Sequence, residues 1–413
     1  MKKLEVTIKT LTPLWTGDVD RKCSRIKETG IIGSLRWWYE ALVRGLGGYA
    51  CDPTSDDKSY VHKRCPKEHG GNKKYCTACL VFGATGIRRL FRLYVSGGKP
   101  LFDGAIQIIP KGRRGGWFLG GGLVGNINLN IIPFSNDFDR SLIIVPLLIA
   151  SNWGAIGARA QHGYGVVEIL EGHQEVDFSR FNGSIKKITN QKRLLKLEVD
   201  IRRNSSEELP NIQEMFFAKV VFKVKDEWWK DVNGIAPRSH EDYHGHIYNP
   251  KMLDWVKSDS LPISPAIKNW IRYGNVITIK RGKKIQVSPF KEISNIEISK
   301  WIFGTSNSIK TASKINISCA YPIGDNLWEF RIWGWIPKDG IPARFDRDSF
   351  LDNLKQALEG SGSVTVPWNE LLGDQTEKHK LKVWREFDSS RDTVKPNESN
   401  IDNYLQSLLR GEE

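Results

Sequence analysis

The sequence predicts an α+β protein made of two tandem ferredoxin-like (RRM-like) domains with insertions. In the first half, segments with strand or helix periodicity follow the order strand, helix, strand, strand, helix, strand, which is the ferredoxin-like order. The second half repeats these elements in a weaker form. With 413 residues, of which 40% are hydrophobic, the chain is long enough to give each domain its own core.

The charge of the chain predicts a polyanionic partner. Lys and Arg together number 61 against 47 Asp and Glu, which gives a formal net charge of +14. Such an excess favours nucleic acid or an anionic membrane. A membrane is the poorer choice, because no apolar run approaches the ~20 residues that a spanning helix requires. The first residues alternate like a strand and do not read as a signal peptide, so we expect a cytoplasmic location.

The first predicted domain covers residues 1–175. Its strands are marked by alternating apolar and polar residues, and its helices by apolar residues at helical spacing. Ser34 is the expected N-cap of the first helix. The predicted elements are a strand at 4–11, a helix at 35–44, a strand at 87–95, strands at 105–109 and 126–132 around a basic tip at 111–116, a helix at 140–152 and a strand at 166–170.

A linker is predicted at 176–210, followed by the second domain at 211–413. Trp301-Ile-Phe-Gly-Thr305 parallels Leu80-Val-Phe-Gly-Ala84, and each is followed by a small-residue turn and a basic strand. The further predicted elements are strands at 217–224, 314–318, 328–336 and 380–384, a segment at 261–272 that matches the first helix in character and place, a helix at 348–358 and a C-terminal helix.

A glycine-rich segment, the glycine loop (residues 154–165), carries the clearest functional signal. It contains Gly154, Gly157, Gly163 and Gly165, with Arg159 and His162 among them. Glycines allow positive φ and a close approach of backbone N–H groups to a ligand, and a fixed guanidinium favours anions. The loop therefore predicts phosphate binding. The alternative interpretation is a glycine-rich turn that only closes the domain.

A polar insertion at residues 49–79 carries four of the six cysteines. His62, Cys65, Cys76 and Cys79 have the spacing His-x2-Cys-x10-Cys-x2-Cys, which suits a structural zinc site. Cys51 and His69 are alternative fourth ligands. The competing interpretations are unligated or redox-active thiols, or a disulfide if the source is a hyperthermophile.

Four motifs resemble a known family. They are Thr12-Pro-Leu-Trp-Thr-Gly17, Ile31-Ile-Gly-Ser-Leu-Arg-Trp-Trp-Tyr39, Cys79-Leu-Val-Phe-Gly83 and the glycine loop. Together they resemble the RAMP superfamily of CRISPR-associated proteins, and most of all the family of the first-numbered Cmr subunit of type III-B effector complexes. The resemblance implies RNA binding near the guide-RNA 3′ end and target RNA, beside other Cmr subunits, with the glycine loop as a shared feature.

The leading hypothesis is an RNA-binding subunit without catalysis of its own. Phosphates would contact the glycine loop and Arg159, with Arg36, Arg88 and Arg92 as flanking cations, and His162 or Tyr164 would stack on a base. The alternative is a metal-independent endoribonuclease of the same superfamily, which would use histidine as acid and base; the candidates are His162, His240, His244 and His246. A third possibility is a protein–protein adaptor whose charge is incidental.

Overall fold

The computed structural model describes residues 3–411 except 19, 21, 55–63, 66, 70–71, 114, 174–177, 190–208, 236–249, 275–276, 281–282 and 306–310. The described helices are α1 (Glu28–Gly45), α2 (Thr77–Phe82), α3 (Ser141–Trp153), α4 (Phe178–Thr189), α5 (Pro250–Lys257), α6 (Ser264–Tyr273), α7 (Ile296–Phe303), α8 (Arg347–Glu359), α9 (Trp368–Leu372) and α10 (Ile401–Leu409). None of these is both long enough and apolar enough to cross a membrane.

The described strands pair in antiparallel fashion throughout. They are β1 (Leu4–Thr10), β2 (Lys67–His69), β3 (Asn72–Lys74), β4 (Phe91–Pro100), β5 (Ala105–Ile108), β6 (Trp117–Gly120), β7 (Leu123–Pro133), β8 (Val167–Glu171), β9 (Met215–Val224), β10 (Ile277–Lys280), β11 (Lys283–Gln286), β12 (Ile315–Ile317), β13 (Tyr321–Gly324), β14 (Leu327–Trp335) and β15 (Thr376–Glu386).

The first sheet has the strand order β4-β7-β1-β8. Along β1 the buried residues alternate with exposed ones, and Ile8 lies opposite Ile127 of β7. A period of two places one set of side chains on each face of a sheet, so the apolar set forms a continuous buried face. The helices α1 and α3 belong to the core that this face forms.

The second sheet has the order β12-β14-β9-β15, with β13 also paired to β14. The four main strands of each sheet can be numbered by their order along the chain. In both sheets the spatial order is then second, third, first, fourth. The two halves therefore share one strand order, which agrees with the predicted repeat. The chain is an α+β protein with antiparallel sheets, as the sequence predicted.

The second sheet packs against the helices of the first half as well as its own. Phe217 of β9 stacks on Trp38 of α1, with ring centroids 6.3 Å apart, and lies 6.0 Å from the ring of Trp153 of α3. Its neighbour Phe216 belongs to the separate core that contains α6 and α8. The helices α1 and α3 are thus enclosed between two sheets.

Each half contributes an element to the core of the other. The hairpin β5–β6 brings Ile106, Ile108 and Leu119 into the core of the second half. In the opposite direction, α10 brings Tyr404 and Leu408 into the core of the first half. Residues that are far apart in sequence therefore complete each core.

Two boundaries differ from the predictions. The helix α1 begins at Glu28 and Ser34 lies inside it, because Ile31 and Ile32 are buried in the core and packing outweighs the weak helix propensity of nearby glycines. The predicted strand at 87–95 begins only at Phe91, since Ile87 closes a turn with Ala84.

Part of the predicted linker at 176–210 is helical. The helix α4 buries Phe181 and Ile185 in the first core, so this segment is an integral element of the first half.

Candidate nucleic-acid interface

A groove of about 440 Å³ lies where the two halves meet. Three parts of the chain line it: the first turns of α1, the glycine loop, and the strands β12 and β14 with the segment before β12. The lining residues are Gly30, Gly33, Ser34, Trp37, Trp38, Ala155, Gly157, Ala158, Arg159, Ala160, Gln161, Ala312, Ser313, Asn316, Trp333 and Trp335. No acidic residue is among these lining residues of the described chain.

The glycine loop is held by hydrogen bonds within the protein. The N–H groups of Gly154, Gly163 and Gly165 donate to the carbonyl oxygens of residues 150, 160 and 13, at 2.9–3.0 Å. These amides are therefore not available to a ligand. Among the described backbone hydrogen bonds outside helices and strands, none is donated by Gly157 or Arg159. Of the four loop glycines, Gly157 is thus the one whose N–H group could still donate to a ligand.

Glycine is required in this loop by close packing. Gly157, Gly163 and Gly165 all have positive φ, between 81° and 96°. A Cβ at Gly157 would lie 2.6 Å from the carbonyl oxygen of Trp15, and one at Gly165 would lie even closer to the carbonyl oxygen of Ile156. The interpretation of the loop as a tight turn is therefore correct for most of its glycines.

Arg159 is the cation of the groove. It begins the short 3-10 turn Ala160–His162 and has φ 61°, a conformation that is uncommon outside glycine. Its guanidinium lies over the indole ring of Trp15, with Cζ 3.6 Å from the ring centroid. Stacking fixes the plane of the guanidinium and leaves edge N–H groups that suit a phosphate.

Two half-buried indoles add an aromatic surface. Trp37 of α1 packs edge-on against Trp38, with centroids 5.0 Å apart. Trp335 of β14 lies on the opposite side of the groove, and the Lys314 ammonium lies 4.4 Å from the centroid of its ring. Half-buried indoles beside cations are suited to stacking on unpaired bases.

His162 is not a lining residue. Its Nδ1 is buried without a hydrogen-bond partner among the described residues. Burial, followed by the positive charges of Lys268 and Arg159, lowers the pKa of His162 from 6.5 to about 4. The imidazole is therefore neutral at pH 7.

Lys268 lies behind the groove in α6. Its ammonium donates to the hydroxyl of the lining residue Ser313 at 3.1 Å. Burial, followed by the charge of Arg272, lowers the pKa of Lys268 to about 7.

Tyr164 is a core residue in the structure and does not present a face for base stacking. Its side chain is fully buried, its hydroxyl donates to the carbonyl oxygen of Gly120 at 2.5 Å, and its ring packs edge-on against Trp15. Gly154 is also buried, and its Cα packs so closely on Trp38 that a Cβ there would lie 2.3 Å from the ring.

The three flanking arginines lie outside the groove. Arg36 is directed away from it and donates to the Glu40 carboxylate at 2.7 Å and to the Gly83 carbonyl oxygen at 2.9 Å. Arg88 is exposed and lies over the ring of Phe134. Arg92 is on the exposed face of β4 and donates to the Tyr94 hydroxyl. Of the ten predicted RNA contacts, only Gly157 and Arg159 line the groove.

Three of the four predicted metal ligands lie together. Cys65, Cys76 and Cys79 are buried in one cluster, and Cys51 completes it. His62 lies outside the described residues. Cys51, one of the two alternative fourth ligands predicted from the sequence, is thus the fourth member of the cluster.

The groove residues that come from the second half were not predicted from the sequence. Ser313, Asn316 and Trp335 face the groove because the second sheet packs on α1 and α3. The repeat located their strands but carried no information on how the two halves dock. The available signal was Lys314, a basic residue directly before β12.

Three solved structures illustrate what this chain is similar to. One is the apo form of Cmr1 from Pyrococcus furiosus, with 14% sequence identity, a TM-score of 0.37, and coverage of 83% of this chain and 90% of that chain. Another is a chain of the Type III-B Cmr-beta complex bound to cognate target RNA, with 12% identity, a TM-score of 0.32, and coverage of 84% and 98%.

A third is a chain of the same kind of complex with target RNA and AMPPnP in the presence of ssDNA, with 13% identity, a TM-score of 0.35, and coverage of 84% and 97%. No curated protein matches the sequence. The family model of the RAMP superfamily matches residues 7–168, which include β1, α1, β4, β7, α3 and the glycine loop. Over residues 7–168, this match agrees with the resemblance to the RAMP superfamily that the motifs predicted.

Proposed function

We propose that this chain is a non-catalytic RNA-binding subunit of a type III-B (Cmr) CRISPR effector complex. In that role it contacts guide RNA near its 3′ end and target RNA, beside other Cmr subunits, in antiviral defence. The RAMP match over residues 7–168 and the motif resemblance support the family context. The observation that carries the proposal is the groove, in which a stacked guanidinium and two half-buried indoles meet without an acidic lining residue.

The chemistry of the groove favours single-stranded RNA over a duplex. A single strand presents both its phosphates and its unstacked bases, and the groove offers a partner for each. Arg159 provides a cation for a phosphate, while Trp37 and Trp335 provide faces for bases. The first turn of α1 adds the positive end of a helix dipole beside Gly30 and Gly33.

We further infer that each half is a ferredoxin-like domain. Both sheets have the same strand order, and in the first half the strands and helices follow the β-α-β-β-α-β order. The exchanged elements β5–β6 and α10 are then additions to this repeated unit.

The groove gives no support to the endoribonuclease alternative. Cleavage at a 2′-hydroxyl needs a base and an acid close to the scissile phosphate. The lining residues, all in the described part of the chain, include no His, Asp or Glu. His162 is turned away from the groove, and His240, His244 and His246 lie outside the described residues.

Replacing Arg159 tests the proposed function. For Arg159→Ala we expect weaker binding of single-stranded RNA and a plot of log affinity against log salt that is shallower by about 0.7, since one phosphate contact is lost. Fluorescence anisotropy of labelled RNA across a salt series measures both quantities.

Arg410→Ala is the matched control, because it removes the same charge from an exposed site outside the groove. The control should leave affinity and slope nearly unchanged. Equal effects of the two variants would show that RNA responds to net charge alone and would contradict the proposed site.

A further inference from the structure

We propose that Cys51, Cys65, Cys76 and Cys79 bind a structural zinc ion through four thiolates. This inference is independent of the proposed RNA site. The four cysteines come from three parts of the insertion: its start just after α1, its middle, and its end at α2. All four side chains are buried, with exposed fractions of 1%, 5%, 0% and 1%.

The sulfur positions fit a tetrahedral zinc site. All four Sγ atoms lie within 4.8 Å of one another. Cys51 Sγ is 3.6 Å from both Cys79 Sγ and Cys76 Sγ. With Zn–S bonds of about 2.3 Å, tetrahedral thiolates stand roughly 3.8 Å apart. The spacing is much longer than the ~2.05 Å of a disulfide bond.

The surrounding N–H groups are arranged as donors to negatively charged sulfur. The Cys76 N–H donates to Cys65 Sγ at 3.2 Å, and the Cys79 N–H donates to Cys76 Sγ at 3.5 Å. The Arg36 guanidinium donates to Cys79 Sγ at 3.1 Å. Thiolates accept such bonds well, whereas four neutral thiols in an apolar core would not need them.

Two buried arginines balance the charge that such a site would carry. Four thiolates and a divalent ion have a net charge of about −2. Arg36 contacts one sulfur directly, and Arg44 donates to the carbonyl oxygens of Ala50 and Cys51 at 3.1 and 3.3 Å. Glu40 lies between the two guanidiniums, at 2.7 and 3.7 Å. Arg36 therefore holds the sulfur of Cys79, and Arg44 holds the backbone at Cys51.

The ion would secure the cysteine-rich insertion to α1. The insertion is polar and has little apolar content with which to form a core, so a metal supplies the free energy that holds it in place. The helix α2 has only six residues and its N-cap is Cys76, which makes it dependent on such an anchor.

Metal analysis of the full chain, purified without chelators from cells supplied with zinc, tests the assignment. We expect about one zinc per chain in the wild-type protein. Cys51→Ser and Cys76→Ser should retain less than half of that zinc and should melt at a lower temperature. Cys23→Ser, which changes a half-buried cysteine outside the cluster, and His62→Ala should retain the zinc.

Substitution of cobalt in the wild-type protein gives a second readout that does not depend on folding of the variants. Four thiolates give a tetrahedral cobalt spectrum with intense visible bands and thiolate charge transfer. Loss of zinc in His62→Ala with retention in Cys51→Ser would overturn the ligand set. A wild-type protein without zinc, or with a disulfide between two of the four cysteines, would overturn the site.

Discussion

Arg159 and its glycine neighbours show how one short segment can serve both packing and recognition. Gly163 and Gly165 are close-packed against Cys319 and Ile156, and their amides bond within the protein. Arg159, in the middle of the segment, is held over Trp15 and faces the groove. The residue types alone predicted an anion site here. Which amides the fold already uses depends on contacts with distant residues, so the sequence could not reveal that most of the loop is structural.

His162 predicts a pH dependence of stability. Its pKa is about 4 in the folded protein and about 6.5 when unfolded, because burial disfavours the imidazolium, followed by the charges of Lys268 and Arg159. Between these pH values the unfolded chain binds more protons, so the free energy of unfolding should be fully present above pH 6.5 and fall as the pH falls toward 4. His162→Gln should show a shallower decline in urea titrations across this range.

A matched comparison is available in His379, whose pKa burial also lowers to about 4. His379→Gln should flatten the decline to a similar extent, and the double variant should be flatter than either single variant. An unchanged pH profile in His162→Gln would show that this imidazole is solvated in the folded state.

At the scale of elements, hydrophobic periodicity predicted most strands and helices. It did not predict which elements pack against each other. The strand β1, the helix α3 and the helix α8 lie close to their predicted bounds, since each has an apolar pattern set by local geometry. The start of α1 was predicted too late, because burial of Ile31 and Ile32 extends a helix through glycines. The helix α4 lies in a segment that was read as a linker. Such errors arise where tertiary packing outweighs local preference.

The helix α10 supports a prediction about packing between the chain's two halves. Leu408 is fully buried in the first core, and its carbonyl oxygen accepts from Trp153 Nε1 at 2.7 Å. Leu408→Ala should lower the free energy of unfolding by about 2–5 kcal/mol, because it leaves a cavity in the core. Gln406, exposed on the same helix, is the control, and Gln406→Ala should change stability by less than about 0.5 kcal/mol. Denaturant titration measures both; equal values would contradict the docking of α10.

At the scale of the whole molecule, the two sheets and the helices between them form one connected body. Arg331 of β14 is central to this connection, because it donates to the carbonyl oxygens of Ser151 and Gly154 at 2.5 and 3.2 Å and to the Tyr321 hydroxyl at 2.7 Å. It thereby caps the end of α3 where the glycine loop begins. This role could not be predicted from the sequence, in which Arg331 is simply one charged residue in an aromatic strand.

Arg331→Leu tests how far the halves depend on each other. The substitution removes a buried cation, leaves the carbonyl oxygens of Ser151 and Gly154 without this donor and takes one partner from Glu329. We therefore expect the free energy of unfolding to fall by about 3–5 kcal/mol. Lys300→Ala, which breaks the exposed pair with Glu297, should cost at most about 1 kcal/mol. Calorimetry of the wild type should show one cooperative transition; two separated transitions would contradict the single body.

The position of α10 in the first core has a consequence for biosynthesis. The ribosome makes β1, α1 and α3 long before it makes residues 401–409, so the face of α3 that Tyr404 and Leu408 cover stays bare while the rest of the chain is translated. During that interval the nascent amino-terminal half exposes apolar surface, and chaperones that bind such surface would engage it until the last helix leaves the exit tunnel.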